Sequence, residues 1–118
     1  MRERKRRYKL RPTPLSYVAV YVAGQLTMRE RPDLAHASAS ESDRYEELLV
    51  NPTLLTLVQQ RGNIDCGGMR YLIIRYGFLF QLVIPLKQGH ISIAFESHTN
   101  PLVYVERITQ ILRDHALA

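Results

Sequence analysis

The chain reads as one domain of the α/β class, an α+β sandwich on a five-stranded antiparallel sheet. Three observations lead there. From Met69 to Glu96, three apolar runs are separated by two glycine-bearing turns. Before them, two Tyr- and Val-rich segments flank Ala23-Gly24, and a helical stretch follows each group of strands. The resulting order is strand, strand, helix, strand, strand, strand, helix, which closes two layers around one core. A length of 118 residues suits one such domain.

Residues 1–14 lack apolar periodicity, contain Pro12 and Pro14, and are dominated by like charges. They are expected to form a disordered basic arm, leaving 15–118 as the domain. Leu15 to Val22 and Gln25 to Arg29 suggest a hairpin turning at Ala23-Gly24. Arg31-Pro32-Asp33 ends it, and Ala35 to Ser42 suits a loop. Ser40 or Ser42 can cap the next helix, with Glu41 and Asp43 favourable in its first turn. Tyr45, Leu48 and Leu49 form its apolar stripe, Asn51-Pro52 brings a second cap and a kink, and Leu54, Leu55 and Val58 resume the stripe. Arg61-Gly62 supplies the stop.

Met69 to Tyr76 then reads as a strand apolar on both faces, with Tyr71 and Ile73 opposite Leu72 and Ile74. Phe78, Phe80, Leu82 and Ile84 share one side of the next strand, which runs to Leu86. His90 to Glu96 alternates, with Ile91, Ile93 and Phe95 inward. Asn100-Pro101 opens a final helix with the stripe Tyr104, Val105, Ile108, Ile111 and Leu112.

Composition narrows the function classes. The formal charge is +5, but Arg2, Arg4, Lys5, Arg6, Arg7, Lys9 and Arg11 against Glu3 give the first eleven residues +6, leaving −1 for the rest. Only the arm has an electrostatic footprint, suited to nucleic acid, anionic membrane or an acidic protein groove. No apolar run approaches the length of a membrane span. A single cysteine, Cys66, permits no internal disulfide, and the expected location is cytoplasmic.

Catalytic signatures are weak. The glycine-rich run Gly62 to Gly68 lacks the Lys-Ser/Thr of a phosphate loop and precedes a strand. Cys66 has only His90 or His98 as candidate bases, while His36, His90, His98 and His115 show no metal-ligand spacing. Glu96 near His98 leads into the last helix's cap. Phe78, Phe80 and Phe95 are expected to fill the space a ligand cavity would need. No catalysis, cofactor, metal or small-molecule substrate is expected.

With the elements Tyr17 to Arg29, Asp43 to Arg61, Met69 to Glu96 and Asn100 to Arg113, the chain resembles the roadblock/LC7 (dynein light chain) domain family, a relative of longin-like folds. It departs in having the basic arm where members usually have a first helix. The resemblance implies a dimer, with itself or a paralogue, formed through the long helix and the strand after it. The implied interface contains Tyr45, Leu48, Leu49, Leu55, Val58, Met69, Arg70, Tyr71, Leu72 and Ile73. It also implies a scaffold or regulatory role on a small GTPase or a signalling or motor assembly. The alternative is a small accessory subunit anchored through its arm to a nucleoprotein or anionic membrane complex.

Overall fold

A computed structural model describes residues 15–30 and 39–117. The arm, the 31–38 connection and His36 lie outside the described residues. Five strands form one antiparallel sheet in the order β2-β1-β5-β4-β3: β1 Leu15–Val22, β2 Gln25–Glu30, β3 Leu72–Arg75, β4 Leu79–Leu86 and β5 Gly89–Glu96. The β1–β2 hairpin turns through Ala23 and Gly24, both at positive φ, the geometry whose twist matches the paired strands.

The helical rod after β2 starts as α1, Ala39–Tyr45, widens into a π turn, Glu46–Val50, and continues as α2, Asn51–Asp65. Positions 40 and 42 therefore fall inside its first turn, not ahead of it. Nor does Asn51 start a new helix. Tyr45, Val50 and Asn51 all keep right-handed helical dihedrals, and the Asn51 amide bonds Glu46 O, five residues back. That wider turn accommodates Pro52, which has no N–H and would crowd the carbonyl four residues before it in an unbroken α-helix.

The helix also runs past its expected stop. Gly62 stays helical, and Gly67 and Gly68 supply the left-handed residues. The Gly62 carbonyl accepts from Cys66 N and Gly68 N, both at 3.0 Å, folding the chain back against the helix.

The sheet has two different faces. On one, Leu82, Ile84, Ile93 and Phe95 pack under the last helix, α3, Leu102–Asp114, with Tyr104, Val105, Ile108 and Leu112 as its contact side. On the other, Tyr17, Ala19, Gln81, His90, Ser92 and Ala94 are buried, although half of them are polar. Asn100 helps to open α3 by accepting from Leu102 N at 3.1 Å.

Three apolar expectations fail. β3 is only Leu72–Arg75, because the chain around Met69 to Tyr71 leaves the ladder, and β4 starts at Leu79. Phe78, on the tip between them, is 92% exposed and fills no core space. Ile111 is exposed too, since Ile108 and Leu112 already hold the inward side of α3.

The close fold-back at Gly62 yields a test. Helix propensity alone favours Gly62→Ala by about 1 kcal/mol. A Cβ there would lie 2.6 Å from Gly68 O and 2.8 Å from Gly68 C, and backbone cannot swing aside. The substitution should instead destabilise by about 2 kcal/mol, read as a lower urea midpoint.

Candidate functional site

The long helix sits on the polar face of the sheet, and its residues divide between the two sides. Inward at intervals of three and four come Glu47, Asn51, Leu55, Val58 and Gly62, of which only Val58 is half-buried and the others are buried. Outward come Tyr45, Leu49, Leu57 and Ile64, with Leu48 on the flank; they are 61%, 53%, 58%, 76% and 41% exposed in that order. The first turns of the rod therefore invert the usual helix: the acid faces the sheet and the leucines face away.

Glu47 can be buried because donors converge on it. Its Oε1 accepts from His90 Nε2 at 2.8 Å and Asn51 Nδ2 at 2.9 Å. Its Oε2 accepts from Tyr17 O–H at 2.9 Å and Gln81 Nε2 at 3.4 Å. Asn51 Nδ2 also reaches Ser92 Oγ at 3.2 Å, and Gln81 Nε2 donates to Tyr17 Oη at 2.9 Å and closely to Ser92 Oγ. These six side chains come from β1, the π turn, α2, β4 and β5, so the network joins every layer on this face.

The electrostatics follow from that geometry. Burial alone would push Glu47 up, but bonds from His90, Ser92, Tyr17 and Asn51 outweigh it and hold the carboxyl below its ordinary value. Tyr17 is driven far above the usual phenol range by burial and the facing carboxylate. Beside this network, burial raises the Glu46 carboxyl, although Tyr76 O–H donates to its Oε1 at 2.7 Å. Burial and the bond to Glu46 push Tyr76 up to about 12. Asp43 is pushed up to about 7, first by burial and then by its hydrogen bond with Glu30 and the neighbouring carboxylates.

The structure distributes the residues singled out in the sequence unevenly. Tyr45, Leu48, Leu49, Arg70 and Tyr71 are exposed, while Val58, Met69, Leu72 and Ile73 are half-buried. Leu55 is buried inside this chain, and Ile73 packs with the α3 core. Cys66 is exposed at the end of α2, whereas His90 is enclosed; His98 and His115 are exposed. Among the described residues no three His, Cys, Asp or Glu side chains gather as a metal site would require. None of the described helices is long and apolar enough to cross a membrane. Sequence reasoning missed Leu57 and Ile64 on the outer side and the whole polar network. The available signal was the polar row of β5, His90 and Ser92, opposite its apolar row.

Compared with known proteins, the chain matches no family model, no curated protein and no solved structure. The site must therefore be interpreted from its own chemistry.

Two tests follow. Glu47→Gln keeps the shape but turns an amide toward groups that all donate, so it should destabilise by about 3 kcal/mol in urea unfolding at neutral pH. The second concerns pH. The unfolded Asp43 carboxyl releases its proton near pH 4, roughly the model-peptide value, whereas the folded one holds it to about 7. The folded state carries the extra proton between those values, so this group makes stability fall as pH rises from about 4 to 7. Glu47 acts oppositely: its contribution is present above its unfolded pKa and is lost as pH falls through its lowered folded one. Asp43→Asn should flatten the decline between about pH 4 and 7, measured by urea midpoints; an unchanged slope would assign the decline elsewhere.

Proposed function

We propose that this chain is a non-catalytic scaffold or regulatory module of the roadblock/LC7 kind. It works in the cytoplasm as a dimer, and presents a protein-binding platform to a small GTPase or a signalling or motor assembly. One observation carries the reading: the apolar residues on the outer side of the helix lie on a rod whose Glu47 and Asn51 are already committed inside. Tyr45, Leu49, Leu57 and Ile64 have no role left within the protomer, and an exposed apolar stripe of this kind marks an interaction surface. Thr53 and Thr56 extend it, because their hydroxyls donate back to Leu49 O and Pro52 O and so leave the stripe fewer free polar groups. β3, a short edge strand at the end of the sheet order, gives the second element of a symmetric contact.

A non-catalytic role is supported by the enclosure of Glu47 and His90. They are the residues best suited to acid-base work, and both are buried and bonded to each other. The accessory-subunit reading draws on a different observation, the +6 charge of residues 1–11 against −1 elsewhere. Binding to an assembly that survives deletion of residues 1–11 supports the platform; binding that disappears supports the anchor.

Light scattering coupled to size exclusion tests the dimer. The 13.7 kDa chain should elute at twice its mass at micromolar concentration. Leu49→Glu with Leu57→Glu should return it to the monomer with unchanged circular dichroism, since both side chains are exposed in the protomer. A wild-type monomer would overturn the reading.

A further inference from the structure

α3 leaves one flank open. Next to its buried side runs a second stripe, Leu102, Glu106, Thr109 and Arg113, spaced by four, three and four residues along one side of the helix. This stripe lines an open groove of about 900 Å³, together with Met69 to Tyr71 and with Ile84 and Pro85 of β4.

Unequal strand lengths create it. β3 pairs only with Phe80 to Val83, whereas β4 continues through Ile84, Pro85 and Leu86 paired to β5. The lining carries three guanidinium groups, Arg70, Arg107 and Arg113, against one carboxylate, Glu106. None of the three arginines is in an ion pair among the described residues.

We infer that this groove binds an extended, acidic segment of a partner protein, anchored by apolar side chains. Its chemistry is set from both directions. The apolar lining, Met69, Ile84, Pro85, Leu102 and Val105, accepts side chains of an alternating peptide, while the arginines meet carboxylates at its margins. A phosphate backbone would leave that apolar surface unmatched, and the chain's own arm, at +6, carries the wrong sign. From Leu102 to Arg113 the stripe is about 16 Å long, room for about five extended residues. β4 lies beside this space with its outer side unladdered beyond Val83, which suits strand addition.

The inference deepens the platform reading by naming a partner chemistry, and it can fail separately. Arg70 and Tyr71 also belong to the edge assigned to the dimer, so the test uses only the α3 arginines. A phage library of random nine-residue peptides is first cleared on the full-length chain carrying Arg107→Glu and Arg113→Glu, which removes sequences that bind the arm. It is then selected on the unaltered full-length chain. Recovered peptides should alternate acidic and apolar residues. As fluorescein-labelled synthetics they should bind the unaltered chain with a Kd at least tenfold lower than the variant's, read by anisotropy. Light scattering should give both proteins the same mass, which keeps this result separate from dimerisation. Recovery of no peptide, recovery without acidic preference, or equal binding to the variant would overturn the proposal. Complete displacement by phosphatidylserine vesicles or by short polyphosphate would also overturn it, by showing a general anion surface.

Discussion

The fold depends on one carboxylate being stable where water cannot reach it. Glu47 has 0% exposure, and a bare ion there would be prohibitive; what permits it is the convergence of His90, Asn51, Tyr17 and Gln81. Three of these donors stand on strands, against which the helix would otherwise rest only through non-directional apolar contact. The network therefore does something hydrophobic burial cannot do. It specifies which residue of the helix faces which residue of the sheet. A slip of one residue in β5 would present Ile91 and Ile93 to the carboxylate in place of His90 and Ser92, and the donors that β5 supplies would be lost.

The two faces of the sheet consequently divide the work. Under α3, large apolar side chains pack together, and Phe95 stacks on Tyr104 with ring centres 5.3 Å apart; this face holds the larger of the two apolar clusters. Under α2, Ala19, Ala94 and Ser92 are small, which lets the helix approach closely enough for its polar side chains to reach the strands. The π turn belongs to this same arrangement. It absorbs Pro52 while Glu47 and Asn51, four residues apart, both stay turned toward the sheet.

How much of this was legible in the sequence follows from the same division. The succession of elements, the hairpin at Ala23-Gly24, an interruption of the long helix at Pro52 and most of the α3 stripe were readable, because each rests on local chemistry or on a face with one character. The polar network was not, because periodicity identifies stripes without saying which faces in. On the rod, Tyr45, Leu48 and Leu49 compete with Glu47 and Asn51, and ordinary partition energies favour burying the leucines. Only Tyr17, Gln81, His90 and Ser92, distant in sequence and aligned by the ladders, reverse that preference. Phe78 and Ile111 were misplaced for a simpler reason. An apolar residue one step beyond a strand's end, or on the far shoulder of a filled stripe, looks the same in sequence as its buried neighbours.

The inversion also separates meaningful exposure from incidental exposure. Isolated apolar side chains on a surface need no explanation, and Phe78 on its turn is one. The outer side of the long helix is different, since its apolar residues recur over five turns of a rod whose inner side is fixed by directional bonds. Rotating that rod to bury Leu49 or Leu57 would pull Glu47 and Asn51 from their partners, so relief within the protomer is blocked. The same bonds that make the interior polar thus keep the exterior apolar. A surface held that way is preorganised, and a partner that covers it need not meet the entropy of ordering it first.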